Sequence, residues 1–293
     1  MIRAVLRKFP ALLKAIRFEH TAFALPFALT SAFVAANGWP RAWELGWIVT
    51  AMVGARTAAM AFNRIADVDY DRKNPRTARR ALVTGELTTR QLWVTLLVAA
   101  GVYFLAAGML NLLCLALSPF ALVVLLGYSY TKRFTSLTHW VLGFALGLAP
   151  VGAWIAIRAR VDLPPLILCL AVTAWTAGFD IIYACQDIAF DRAQGLFSLP
   201  ARWGARRALV ISTVNHVFTV WFLALFGYVA HLGWLYLLGV VVLIPVLWWE
   251  HHVVQPEDLS RAEAASLVAN GIFSPALFLF AAADVILFRG MPF

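Results

Sequence analysis

Asn63, Asp67 and Asp71 in NRIADVDYD, and Asp180, Asp187 and Asp191 in DIIYACQDIAFD, set oxygen-bearing side chains at helical spacings beside apolar sequence. At 3.6 residues per turn the first three fall on one helical face, with Asp69 pointing away. Asp187 and Asp191 repeat the i, i+4 relation, and Asp180 lies two turns earlier on the same stripe. Carboxylates are costly beside hydrocarbon, so two such stripes call for cations. Hard oxygen ligands grouped this way suit Mg2+, which keeps several waters and takes one or two carboxylates together with substrate phosphates. Two facing stripes can clamp a diphosphate through two such ions. A single DxxxD reads equally well as a helix end pairing with nearby arginine; two, with Asn in register, favour the metal.

Cations suited to phosphate oxygens surround both stripes. Arg72, Lys73, Arg76 and Arg80 lie in RKNPRTARRALVTG, Tyr128, Lys132 and Arg133 in YSYTKR, and Arg192 directly follows Asp191. The competing reading of these residues is topology and headgroup anchoring. Arg56 stands seven residues before Asn63, on the same face but deeper in an apolar run. An intramembrane Arg is a functional-site hypothesis by default, and its natural partner is the acidic group of a second ligand. The six His show no ligand spacing and are given no role. Cys114, Cys169 and Cys185 sit apart in apolar runs, which suggests neither a disulfide framework nor a zinc site. Walker, dinucleotide and GxSxG motifs are missing.

The elements that must position these groups are membrane helices. The chain is 62% hydrophobic and 13% charged, with mean hydropathy +0.79, against about 25% charged in soluble domains. Apolar runs predict an all-α polytopic protein with nine spans, near 20–37, 43–65, 90–109, 111–130, 138–157, 164–186, 206–227, 231–249 and 266–288. They form a single integral domain over 1–293. The opening MIRAVLRKFPALLKAIRFEH reads as a basic amphipathic segment over 1–19 rather than a signal peptide. Of the 24 Lys and Arg, Arg41, Arg158, Arg160 and Arg289 fall on one side, Arg56 within a span and the remainder on the other side. The positive-inside rule then predicts a cytoplasmic N-terminus, an outside C-terminus and both acidic stripes at the cytoplasmic face. The net charge of +9 is concentrated beside spans, where it serves topology and anionic groups rather than nucleic acid.

Together these residues resemble the UbiA superfamily of intramembrane aromatic prenyltransferases. The resemblance covers nearly the whole chain. It rests on Asn63, Asp67 and Asp71; on Asp180-x-x-Tyr183-Ala-x-x-Asp187-x-x-x-Asp191; on YxxxK as Tyr128 and Lys132; on Arg56; and on RTxxR as Arg76, Thr77 and Arg80. It implies a central cavity open to the cytoplasmic side and laterally to lipid, in a bacterial-type inner membrane. It implies Mg2+ as cofactor, held through diphosphate by Asn63, Asp67, Asp71, Asp180, Asp187 and Asp191, with Asp67, Asp71, Asp187 and Asp191 as the catalytic carboxylates. Arg72, Lys73, Arg76, Arg80, Tyr128, Lys132, Arg133 and Arg192 would bind diphosphate, and Arg56 with Tyr183 the aromatic acceptor.

The implied partners are a polyprenyl diphosphate, a hydroxyaromatic acid and the lipid bilayer, with no obligate protein partner. The implied reaction is transfer of a polyprenyl group to a ring carbon of a 4-hydroxybenzoate-type acid in quinone biosynthesis. After the second motif, Ala193 and Phe197 stand where family members acting on 4-hydroxybenzoate commonly carry lysines. That stretch looks more like the branch associated with the futalosine route to menaquinone, whose acceptor is 1,4-dihydroxy-6-naphthoate. Outside this family, a cation-coupled transporter would use carboxylates near mid-membrane. A CDP-alcohol phosphotransferase would need a DGxxAR-type run that the chain lacks.

Overall fold

The structure, a computed structural model, describes residues 21–288 together with Leu12 and Ala15; the amphipathic segment expected over 1–19 otherwise lies outside the described residues. The helices in chain order are α1 Thr21–Ala36, α2 Ala42–Ala66, α3 Val68–Lys73, α4 Thr89–Leu110, α5 Leu112–Thr131, α6 Thr138–Arg158, α7 Leu163–Ala184, α8 Ile188–Ala193, α9 Leu199–Trp203, α10 Ala205–Val229, α11 Trp234–Val253 and α12 Ala262–Leu287. A 3-10 turn, Cys185–Asp187, joins α7 to α8.

Eight of these helices are long and apolar enough to cross a membrane. The expected count of nine is not reached among the described residues, because α1 has 16 residues and its apolar part covers only Ala24–Ala36. A span needs about 20 residues at 1.5 Å each. The other expected spans fall on the observed helices, with ends displaced by a few residues.

Helix packing without a water-driven hydrophobic force depends on close fit, so small residues mark the contacts. A Cβ on Gly143 would overlap the Thr173 carbonyl, and one on Gly147 would lie 2.7 Å from Cys169 Sγ, which fixes α6 against α7. On the other side of α7, Gly178 leaves room for the His216 ring of α10. Trp175 of α7 stacks on Phe273 of α12 and contacts Phe27 of α1, tying three helices into one apolar core. Long Lys-free helices also carry internal prolines at Pro26, Pro119, Pro150, Pro245 and Pro275. Neighbouring helices can re-satisfy the backbone groups that such prolines free.

This packing leaves a cavity of about 1160 Å³ walled by α2, α4, α5, α6, α7 and α12. Its wall is mostly apolar and includes the exposed Leu117 and Phe120 of α5. At one end the cavity is bordered by residues within 76–82, which follow α3.

Candidate active site

Both acidic stripes are built in the same way. The long helix α2 breaks at Asp67 (φ −99°, ψ 4°), and the six-residue α3 begins after it. The long helix α7 passes through its 3-10 turn, breaks at Asp187 (φ −103°, ψ 9°), and the six-residue α8 follows. In each case the first Asp sits at the break and the second, Asp71 or Asp191, lies buried in the first turn beyond it. The i, i+4 geometry predicted for an unbroken helix survives the first break, since the Asp71 amide donates to the Asp67 carbonyl at 2.8 Å. Asn63 Nδ2 donates to Asp67 Oδ2 at 2.8 Å, so these two do share a face. Asp69 points to solvent, as expected.

Each of the four carboxylates is countered by a different cation. Arg133 Nη2 lies 3.4 Å from Asp67, Arg80 Nη1 2.6 Å from Asp71, and Lys132 Nζ 2.9 Å from Asp191. Arg76 engages Asp187 with two nitrogens, at 3.1 and 2.5 Å, while its third donates to the Tyr183 hydroxyl at 2.7 Å. Such fork pairing is the geometry by which guanidinium also holds phosphate. Arg76 also stacks over the Tyr183 ring and Arg133 over Tyr130 and Tyr70, which orients both guanidinium groups. The reading as helix-end charges paired with arginine is thus realised, and in a form that gathers both stripes into one pocket.

Asn63, Asp67, Asp71, Asp187, Asp191, Arg76, Arg80, Tyr128, Lys132, Arg133 and Tyr183 all line a polar pocket of about 240 Å³. Asn63, Arg76, Arg80, Tyr128, Asp180 and Tyr183 line the large cavity too, so the two spaces adjoin. Arg56 lines only the large one. Two connections of the chain meet here: Lys132 pairs with Asp191, and its carbonyl accepts the Phe197 amide at 2.8 Å.

Burial raises the Asp67 carboxyl above the ordinary 3.8, and the neighbouring Asp71 charge pushes the same way; Arg133 pulls it back. Burial works against the Arg76 charge, yet its bond to Asp187 holds it above the usual guanidinium value.

Three expected site residues are placed elsewhere, and a fourth, Asp180, lines the polar pocket but bonds to His139. Arg72 reaches Asp69 at 3.8 Å and Lys73 reaches Gln194 at 3.3 Å, both in solvent. One hundred degrees of helix per residue turns them off the face that carries Asp71. Arg192 is likewise rotated off the Asp191 face, and its Nε donates to the Ala201 carbonyl at 2.7 Å. Asp180 is set apart from the ion-paired carboxylates. Its Oδ2 lies 2.7 Å from His139 Nδ1, whose Nε2 accepts the Leu199 amide at 3.2 Å. Nε2 as acceptor places the ring proton on Nδ1, so a neutral imidazole donates to Asp180.

His139 is therefore a site residue that spacing did not single out, because its partners come from α7 and α9. Asn74 is another: its Nδ2 donates to Asp187 Oδ1 at 3.1 Å, and its Oδ1 accepts the Arg76 amide at 3.0 Å. Ser198 is a third, donating to Asp191 at 2.5 Å. Asn74 had a signal in standing directly between the acidic stripe and RTxxR.

Oxygen donors and an orphaned buried oxygen, Asp191 Oδ1, fit a hard divalent cation. Among the described residues no three His, Cys, Asp or Glu converge closely enough to hold one unaided. Mg2+ here would need phosphate oxygens to complete its shell, which is its usual mode.

Residues 24–288 match the UbiA prenyltransferase family. A 4-hydroxybenzoate octaprenyltransferase of Methylobacillus flagellatus is 30% identical over 242 residues, 83% of this chain and 81% of the relative. The Pseudomonas aeruginosa protein of the same name is 30% identical over 256 residues, 87% of this chain and 86% of its own. Among solved structures, a UbiA homolog from Aeropyrum pernix superimposes with TM-score 0.79 and 32% identity over 92% of this chain and 98% of its own. An Archaeoglobus fulgidus UbiA homolog bound to GPP and Mg2+ superimposes with TM-score 0.71 over 94% and 99% of the two chains. At 19% identity it shares the fold.

Proposed function

This chain belongs to the UbiA prenyltransferase family, and we propose that it moves a polyprenyl group from its diphosphate to a ring carbon of a 4-hydroxybenzoate-type acid in quinone biosynthesis. The observation that carries this is the pocket of four carboxylates, each matched to its own Arg or Lys, at the mouth of an apolar cavity of about 1160 Å³. That cavity has room for a hydrocarbon chain and an aromatic ring. The named function of the 30%-identical relatives supports the reading, and so does the GPP and Mg2+ complex of the A. fulgidus homolog.

The chain is an integral membrane protein. We place its N-terminus and the polar pocket at the cytoplasmic face of the inner membrane, on the distribution of Lys and Arg.

Asn63, Asp67, Asp71, Asp187 and Asp191 would hold Mg2+ through the diphosphate. When bound, it supplies the charge neutralisation that lets diphosphate leave. Arg76, Arg80, Lys132 and Arg133 exchange their carboxylate partners for phosphate oxygens, and Tyr128 borders the leaving group from the cavity side. The rearranged pairs add to this by stabilising the negative charge that develops as the carbon–oxygen bond breaks. The apolar wall keeps water from the allylic cation. Arg56 orients the acceptor through its carboxylate, and Tyr183, fixed by Arg76, borders the ring. The ring carbon forms the new bond and then loses its proton. Asp180 is the base for it, since it faces both spaces and its bond to a neutral His139 leaves it free of a neutralising cation.

The acceptor has a second reading. Ala193 at the end of α8 and Phe197, whose amide donates to the Lys132 carbonyl, leave no lysine directly after the second stripe, and by resemblance that stretch points to a dihydroxynaphthoate as the alternative acceptor. Purified protein with Mg2+, a polyprenyl diphosphate and either acid tests both readings: diphosphate release with a C-prenylated product is expected, and the faster acid names the acceptor. Unimpaired turnover by Asp67→Ala or Asp187→Ala would remove the metal clamp from this account.

A further inference from the structure

Behind the cavity wall, α10, α11 and α12 bury a polar seam that the clamp does not use. Glu250 of α11 is fully buried, and its Oε1 accepts from Ser266 Oγ of α12 at 2.7 Å. Its Oε2 has no hydrogen-bond partner and lies 3.9 Å from His216 Nδ1 of α10. That same Nδ1 is 2.8 Å from His251 Nε2, and His251 Nδ1 is 3.3 Å from the hydroxyl of the exposed Thr213. At the inner end Ser266 lines the cavity together with Asn270, one turn further along α12, and Thr176 of α7. Asn270 Oδ1 and Thr176 Oγ1 are buried and likewise lack partners. Thr176 precedes Asp180 by one turn, on the same face of α7.

This arrangement is expensive as mere packing. A buried carboxylate normally requires a cationic partner, and buried polar atoms normally find hydrogen bonds or ordered water. Among the described residues no Lys or Arg pairs with Glu250, His216 or His251, and no group of three ligating side chains suits a metal. What the seam does have in series is a hydroxyl, a carboxylate and two imidazoles, each able to accept and give a proton. The orphaned atoms between them mark positions where buried water would bridge.

We propose that the seam from Ser266 through Glu250 and His216 to His251 carries the ring proton from the cavity to the surface, an inference that rests on prenyl transfer as the reaction of the cavity. As the carbon–carbon bond forms and the carbon–oxygen bond of the diphosphate breaks, one proton leaves the attacked ring carbon for Asp180. With diphosphate filling the polar pocket, that proton's way out through the mouth is closed. It passes by water at Thr176 and Asn270 to Glu250, then to His216 and His251, and to solvent at the end of α11, where the exposed Gln255 donates to the His251 carbonyl, one proton per product with no redox partner. The titratable group facing Glu250 is His216 from α10, which in turn meets His251 of α11; Glu263 of α12 is exposed and lines the cavity, where its charge acts on Arg76. Asp180 with His139 stands across the cavity.

Rapid-quench kinetics of the intact protein in detergent with Mg2+, polyprenyl diphosphate and the hydroxyaromatic acid test this. In Glu250→Gln the first turnover is expected at the wild-type rate and later turnovers about tenfold slower or more, as for loss of a proton-transfer group. The product trace then shows a burst of one equivalent that wild type lacks, and added imidazole buffer restores the later rate. A wild-type trace from Glu250→Gln, or equal slowing of first and later turnovers, overturns the seam. Ser266→Ala and His251→Gln are read by the same two criteria and decide the matter if Glu250→Gln does not fold. Absence of product from the wild-type protein would instead overturn prenyl transfer, and the seam with it.

Discussion

Arg76 pairs with Asp187, so the cation and Mg2+ compete for one carboxylate. Replacing Arg76 by Leu should therefore strengthen Mg2+ binding when no diphosphate is present, while weakening diphosphate binding when Mg2+ is saturating. The size follows from the pair's setting. Two unit charges about 4 Å apart at an effective dielectric of ~20 interact by about 4 kcal/mol. Solvent reaches the Arg76 side chain, which is 28% exposed, and Asn74 still donates to Asp187 after the change. Halving the figure on those grounds leaves about 2 kcal/mol, or roughly 30-fold in Mg2+ affinity. Calorimetric titration of Mg2+ into detergent-purified wild type and Arg76→Leu, with and without inorganic diphosphate, reads both effects. Arg76→Lys keeps the charge but not the fork and should fall between the two. If Mg2+ alone binds wild type and Arg76→Leu with equal affinity, or if diphosphate affinity is unchanged, partner exchange is wrong and Arg76 serves only to brace α8.

Asp67 supplies a pH test. Its raised carboxyl favours the protonated form in the fold, so its contribution to apo stability is present below the ordinary value of 3.8 and lost as pH rises through the raised folded value. Asp67→Asn should then raise the apo melting temperature at neutral pH while losing the stabilisation that Mg2+ with diphosphate confers on wild type. Arg133→Gln removes the group that pulls the Asp67 carboxyl down, and should move the acid limit of Mg2+ binding to higher pH in a titration series. Lys132→Ala leaves the fully buried Asp191 with Ser198 as its bonded side chain. Stripping one partner from a buried pair costs about 3–5 kcal/mol, so thermal unfolding should show a large loss, relieved by Asp191→Asn in the same chain. His139→Ala removes the donor to the half-buried Asp180 carboxylate, at about 1–3 kcal/mol. The expected result is a roughly tenfold to hundredfold lower kcat with the KM for polyprenyl diphosphate unchanged; a rise in KM alone would deny Asp180 its role as base.

Much of this protein was legible before any coordinates. Runs of apolar residues mark helices wherever they exceed about 20, because a segment in hydrocarbon must satisfy its own backbone. The two acidic stripes, the RTxxR stretch and the YxxxK element were also legible, since each is local and repeats at a helical period. Arg72, Lys73 and Arg192 illustrate the limit of that reading. They share the chemistry and the neighbourhood of Arg76 and Arg80, yet a rotation of one or two residues sends them to solvent. His139 illustrates the converse, a residue with no motif whose role arises from contacts 41 and 60 positions away.

Sequence by itself determined the class of fold and the inventory of the site: membrane helices, two carboxylate stripes, and enough Arg and Lys to answer them. Those properties follow from side-chain polarity and helical period, which act within a few residues. Tertiary structure alone decided the pairings. It assigned Arg76 to Asp187 and Lys132 to Asp191, turned Asp180 from the clamp toward His139, and enclosed Glu250 with His216. Each of these joins residues from separate parts of the chain, so its energy depends on distances that exist only once the bundle has closed.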